Sequence, residues 1–283
     1  MDTHDLVLYE TRGPAAWVTM NRPRVGNAQN IRMTRALDAA FKRAVDDDGV
    51  HCIVLQGAGK HFSGGHDIGT PQRDIDKPFE KMATPWYDHA DRPGAEGPYV
   101  READAYLGMC RRWRSLPKPT IAAVHGACIA GGLMLAWCCD LIVASDDAFF
   151  ADPVVKMGIP GVEFFAHPFV MRPRQAKEFL FLGERMPASE AHRIGMINRV
   201  VPRDALSDTV QAIAQRLGER PRFALALAKQ AINQAEDRMG LRDVMDATYG
   251  LHHLAHAHNA LTTGDGIANM DARKMKEGEE TPS

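Results

Sequence analysis

Two glycine-rich turns carry the clearest chemical signal in the chain. FSGGHDIG at 62–69 and HGACIAGGLMLA at 125–136 each follow an apolar, β-type segment. Glycines in such places let the backbone approach a ligand closely and leave N–H groups pointing outward, and a helix opening at Gly131-Gly132 adds the positive end of its dipole. Two such donors that converge make an oxyanion hole, the device that stabilises a carbonyl oxygen as it gains negative charge. Taken alone, each segment is more simply a tight turn.

Other motifs fail on their own residues. GAGKHFSGG is not a phosphate loop, because Val54 stands where the first glycine is needed and His61 where Ser or Thr must follow Lys60. His61 also occupies a required glycine position of a nucleophile elbow around Ser63, which argues against a serine hydrolase. His252, His253, His256 and His258 cluster near the C-terminus, with His252 and His256 one helical turn apart. That is metal-ligand spacing, yet no carboxylate or cysteine adjoins them in sequence, so they are expected to be solvated or interface histidines and no metal site is expected.

The elements that must position these turns read as α/β. LVLYE and AWVTM flank an Arg12-Gly13-Pro14 turn as a hairpin; Met33, Leu37, Ala40, Phe41, Ala44 and Val45 repeat at helical spacing; VHCIVLQGAG is a strand running into a glycine turn. Strand, helix and strand in that order predict a parallel crossover. Residues 70–117, with prolines at 71, 78, 85, 93, 98 and 117, are expected to form a long loop with short helices that shapes or covers a pocket through Trp86, Tyr87, Tyr99, Tyr106 and Trp113. DLIVAS, AFFADP and INRVVP read as short strands, and KEFLFLGERMPASEAHRIG as a helix, turn and helix. Beyond Asp204 the pattern is helical to near the end, with Pro221 opening one helix. The expected organisation is a core over 1–204 carrying the 70–117 insertion, then a helical region over 205–283 too thin to build much core alone.

Composition narrows the partners. The 283 residues carry 34 Lys+Arg against 36 Asp+Glu, a net charge of −2, which lacks the cationic excess needed along nucleic acid or an anionic membrane. From Ile121 to Cys139 no charged side chain occurs, approaching the length of a membrane span, but His125, Gly126, Gly131 and Gly132 interrupt the run and a buried strand, turn and helix fits it better. Five cysteines, odd in number and mostly inside apolar runs, suggest reduced thiols and a cytoplasmic location, and the first residues show no secretory signal.

Taken in order and spacing, VTMNRPRVGNAQN, IVLQGAGKHFSGGHDI, KPTIAAVHGACIAGGLMLAWCCDLIVASDDAFFADP, MGIPG and AKEFLFLGERMPASEAHRIGMINRVVP closely resemble the enoyl-CoA hydratase/isomerase (crotonase) family over about residues 5–235. The resemblance implies repeated ββα units coiled into a spiral core, followed by C-terminal helices used for trimer contacts, often in a dimer of trimers. It implies an acyl-CoA thioester substrate and no separate cofactor, coenzyme A being part of the substrate. The oxyanion donors it implies are the backbone N–H groups of His66 and Gly131, which would stabilise a thioester enolate. It places the coenzyme A moiety along Arg24, Val25, Gly64, Asp67 and Ile68, with Arg24 able to pair with a phosphate.

At the two positions where hydratases of this family carry glutamates, this chain has Met134 and Val154. Neither side chain carries a proton, and alkene hydration needs both a base for water and an acid for the α-carbon. Glu163, in GIPGVEFFAHP, is the expected acid/base, its apolar neighbours Val162, Phe164 and Phe165 being expected to raise its pKa toward neutrality. His167, Asp67, Asp88 and His89 are weaker candidates. The expected function is therefore an enoyl-CoA hydratase/isomerase-type enzyme of uncertain exact reaction. Thioester hydrolysis, decarboxylation, C–C bond cleavage and a non-catalytic acyl-CoA-binding role stand as alternatives.

Overall fold

A computed structural model of the chain describes residues 6–75, 77 and 92–266. Strands β1 (Val7–Arg12) and β2 (Ala15–Met20) form the expected hairpin, turning at Gly13 with φ +55°. Asn30 caps helix α1 (Ile31–Asp46) by accepting the Met33 N–H at 3.0 Å. Ile31, Met33, Leu37, Phe41 and Ala44 then form its buried stripe. The chain returns as β3 (Cys52–Gly57), parallel to β2, so the crossover reading holds.

Strands β4 (Thr120–Val124), β6 (Leu141–Ser145) and β9 (Arg199–Val201) extend this sheet in the order β1-β2-β3-β4-β6-β9, all parallel from β2 onward. A smaller sheet joins β5 (Ala127–Ile129), β7 (Phe149–Ala151) and β8 (Met186–Pro187) in the order β5-β7-β8. Between the sheets runs α4 (Gly131–Trp137), whose residues are all buried. The uncharged stretch from Ile121 is thus two strands and a helix in the protein interior. Among the described residues no helix is long and apolar enough to cross a membrane.

Both faces of the large sheet are covered, which is why β2 and β4 are buried throughout and do not alternate. One face packs Val18, Met20, Ile53 and Leu55 against α1 and α4; the other packs Trp17, Val54, Ile121 and Val143 against Leu206, Val210 and Ala214 of α8 (Leu206–Gly218). Helices α5 (His167–Val170), α6 (Pro173–Leu182) and α7 (Ala188–Arg193) bracket β8. Helices α9 (Arg222–Arg238) and α10 (Leu241–Thr263) follow and leave Phe223, Ile232, Leu254 and Leu261 exposed. All five cysteines are free and buried.

The insertion is more regular than its prolines suggest. From 96 to 114 it is one helical rod: α2 (Glu96–Glu102), a π-helical segment (Ala103–Gly108) and α3 (Met109–Arg114). Trp113 anchors the rod by stacking on Phe41, with ring centroids 3.7 Å apart. The rod reaches the glycine turns, as expected of a pocket-shaping element, because Tyr106 stacks on His66 at 3.9 Å. Trp86, Tyr87, Asp88 and His89 lie outside the described residues.

Candidate active site

The floor of the site is backbone, held by a few buried polar side chains. Asn27, itself at φ +54°, accepts the Arg22 N–H and donates to the carbonyls of Ala58, His61 and Phe62, joining the 22–27 loop to the end of β3. The Ser63 hydroxyl donates to Asn27 O and accepts from Gln29 and from the Gly65 N–H, which makes this serine a strut and not a nucleophile. The two glycine turns are in direct contact. A Cβ placed on Gly65 would meet Ile129 O at 2.9 Å and Gly131 N at 3.2 Å. One placed on Gly132 would meet Ser63 O at 2.6 Å.

Hydrogen bonding around the turns leaves particular donors over. Gln29 N–H donates to Gly65 O and Asp67 N–H donates to Gln29 O, a parallel bridge in which the His66 N–H points the other way. Ala130, at φ +48°, donates to Ala151 O and accepts from Leu133, whereas Gly131 opens α4 and has no intrahelical acceptor for its N–H. The site thus keeps one such N–H in each glycine turn.

Over this floor sits a buried imidazole–carboxylate pair. His66 Nε2 lies 3.1 Å from both oxygens of Glu163, which is almost fully buried. With Nε2–H donating, Nδ1 is the lone-pair nitrogen; it is buried without a partner, on the ring edge that a Cβ at Gly131 would strike at 2.7 Å. Burial by itself raises the Glu163 pKa, but the charge and hydrogen bond of His66 outweigh it and hold the carboxyl below its ordinary value. This corrects the expectation of a raised pKa: the flanking apolar residues are real, but an imidazole from the first glycine turn dominates. Glu163 is therefore an ionised orienter of His66 at neutral pH, and sequence reading had assigned only the backbone of His66. A cavity of about 120 Å³ adjoins the pair, lined in part by Gly64, Ile68, Ala130 and Val154.

A second cluster lies on the cavity wall. Glu102 Oε2 is 3.4 Å from His252 Nε2, 3.2 Å from His253 Nε2 and 3.6 Å from His256 Nε2. The expectation that no carboxylate completes a site is overturned here, and of the four histidines expected to be solvated or at an interface only His258 is exposed. His252 and His253 are buried, and the carboxylate comes from α2, far away in sequence. Burial opposes the charge on both sides, yet the histidines hold Glu102 well below the carboxylate range, and Glu102 and Glu163 help push His252 up to about 9. A larger cavity of about 520 Å³, lined by Arg101, His253 and Leu261 among others, meets the smaller one at Ile75, Glu102 and His256.

Comparison with known proteins decides the family. A sequence profile described as enoyl-CoA hydratase/isomerase matches residues 10–91 and 97–274. The chain belongs to the enoyl-CoA hydratase/isomerase family. It is 41% identical over 269 residues to a Mycobacterium tuberculosis protein carrying the enoyl-CoA hydratase name EchA13, covering 93% of this chain and 85% of that one. The 1,2-epoxyphenylacetyl-CoA isomerase of Escherichia coli K12 is 33% identical over 221 residues, covering 77% and 78%. The fold matches the crystal structure of a Mycobacterium smegmatis protein named as an enoyl-CoA hydratase, with TM-score 0.84 and 41% identity over 94% of this chain and 99% of that one. The α/β architecture is therefore the crotonase fold of an acyl-CoA enzyme family.

Within this enoyl-CoA hydratase/isomerase family member, the expected site residues separate. His66, Gly131 and Glu163 come together, and Gly64 and Ile68 line the same cavity. Arg24 and Val25 are exposed on the loop that Gly64 N–H binds through Gly26 O at 2.8 Å. The Asp67 carboxylate is not available to a ligand, because it is buried against Arg22 at 2.8 Å and the Thr70 hydroxyl at 2.6 Å. His167 is also spent, on Asp152 at 2.9 Å. Met134 is fully buried in the core, while Val154 forms part of the cavity wall.

Proposed function

We propose that this chain catalyses enolate-forming proton transfer on an acyl-CoA thioester, in the manner of an isomerase more than a hydratase. The observation that carries the reading is the His66–Glu163 pair set beside both glycine turns. The thioester oxygen would lie between the N–H groups of His66 and Gly131. His66 Nδ1 would take the α-proton, the C–H electrons would move into the enolate, and the two N–H donors would hold the oxyanion, a contribution worth about 3 to 4 kcal/mol per donor in other enzymes. With a β,γ-unsaturated acyl group the imidazolium returns the proton at the γ-carbon, and the double bond shifts with no net gain or loss of atoms. One base suffices for this step, whereas hydration requires a second group that Met134 and Val154 do not supply.

Coenzyme A enters as part of the substrate, with Arg24 and Val25 beside Gly64 receiving its adenosine and phosphate portion and Ile68 the pantetheine. The exposed Phe223, Ile232, Leu254 and Leu261 support association of copies through α9 and α10 as a trimer or a dimer of trimers. Five buried free thiols suit a reducing cytoplasm. The test is solvent-deuterium exchange: 3-enoyl-CoA and saturated acyl-CoA are incubated in D₂O and the α-position is followed by mass spectrometry. Incorporation that disappears in Glu163→Gln is the expected result. A panel of enoyl-, 3-oxoacyl- and branched acyl-CoAs that binds with neither exchange nor turnover would instead assign a silent binding protein, and crotonyl-CoA hydration at ordinary enzyme rates would overturn the isomerase preference.

A further inference from the structure

Two of the three imidazoles beside Glu102 are committed at Nδ1. His252 Nδ1 lies 2.9 Å from Gly161 O, and His256 Nδ1 is hydrogen-bonded to Gly266 O. A carbonyl only accepts, so each Nδ1 bears a proton and each ring can offer Nε2 as a ligand once a metal ion displaces any proton held there. Those two Nε2 atoms stand 2.8 Å apart. Glu102 Oε2, a third acceptor, is buried and makes no well-aligned hydrogen bond, and neither does His253 Nε2 beside it. Three such atoms converging out of water need a positive charge among them, supplied either by a proton on Nε2 or by a metal ion that replaces it.

We propose that Glu102 Oε2, His252 Nε2 and His256 Nε2 form a binding site for one divalent transition-metal ion of the zinc class. The spacing fits: a tetrahedral ion with bonds of about 2.0–2.1 Å needs ligand atoms roughly 3.3 Å apart, and the three separations here are 2.8, 3.4 and 3.6 Å. Spacing of four residues on α10 puts both imidazoles on one helical face, opposite the end of α2. Gly161 O and Gly266 O fix the ring orientations from outside, the arrangement that metal-bound histidines require. Imidazole with a single carboxylate favours zinc over the all-oxygen preference of magnesium or calcium. Two histidines and one glutamate form the ligand set of zinc centres that keep an open position. Glu102 and His256 border both cavities, so that position is available to water or to a heteroatom of an acyl group.

This site stands independently of the proton-transfer reading, and its test reads metal and not turnover. Tag-free full-length chain is stripped with a chelator, dialysed, and titrated with Zn²⁺ by calorimetry, with Co²⁺ as a spectroscopic probe. About one equivalent of Zn²⁺ is expected to bind, with visible bands of low-coordinate Co²⁺ that Zn²⁺ displaces. Glu102→Gln and His256→Ala, each confirmed folded by circular dichroism, should weaken binding by at least about 100-fold, beyond the loss typical of an outer partner. His258→Ala, an exposed position off the cluster, should bind like the parent chain. Binding far below one equivalent in the parent chain, or binding that both cluster variants leave intact, overturns the site and assigns a shared proton between His252 and His256 in its place.

Discussion

Apart from the Glu102 cluster, two imidazole–carboxylate pairs among the described residues have nearly equal geometry, His66–Glu163 at 3.1 Å and His167–Asp152 at 2.9 Å. In both, Nδ1 of the imidazole is buried without a partner. Their surroundings differ. His167 is sealed by Trp137, Phe165 and Phe179, whose ring centroids lie 4.8, 4.5 and 6.3 Å away, and both members of that pair are wholly buried. His66 has one ring face on Tyr106 and borders a cavity beside the Gly131 backbone. A matched pair of groups becomes a candidate for chemistry only where a cavity adjoins the ring; without that space it is a structural clamp.

The contrast predicts opposite responses to similar changes. The largest effect is expected from Glu163→Gln, which keeps shape but removes the charge that orients His66: kcat/KM should fall by about 10²- to 10⁴-fold, whereas Asp152→Asn should leave turnover near that of the parent chain. Steady-state kinetics on an acyl-CoA that the protein converts checks both arms. Equal losses would break the distinction.

Stability should rank the pairs the other way. Asp152→Ala strips the only side-chain hydrogen-bond partner that a wholly buried imidazole has among the described residues, at a cost of about 1–3 kcal/mol in urea unfolding. The smallest effect is on acid sensitivity. The Glu163 carboxyl titrates below its ordinary 4.5 in the folded chain, so its stabilising contribution is complete above that value and is lost as pH falls through the lower folded value. The stability gap between the parent chain and Glu163→Gln should therefore narrow as pH falls below the ordinary carboxylate value.

Local pattern made much of this fold legible. The hairpin, α1 and the parallel crossover follow from spacing of apolar residues, and the two glycine turns lie in contact as their β-type leaders suggest. What resisted reading depends on long-range approach. Nothing in GIPGVEFF shows that His66, 97 residues earlier, will cancel the burial of Glu163. The C-terminal histidines likewise lack a carboxylate only until α2 delivers Glu102 across some 150 residues of chain. Arg22 claims the Asp67 carboxylate, leaving only the backbone of that residue for a ligand, a pairing that neither residue's neighbours announce. The helical rod over 96–114 was obscured by Pro98, which sits in the first turn of α2, where a helix tolerates it.

The buried sulfurs give the molecule a built-in clock. Burial lifts the Cys52 thiol to about 12 and those of Cys128 and Cys138 well above their ordinary range, so these three carry almost no thiolate at neutral pH, and all five cysteines are buried away from reagent. Cys52 lies within the large sheet, and Cys138 and Cys139 directly follow α4. A thiol-specific dye added to the native chain can therefore label it only as fast as these layers part, and the growth of its absorbance measures how often the core opens.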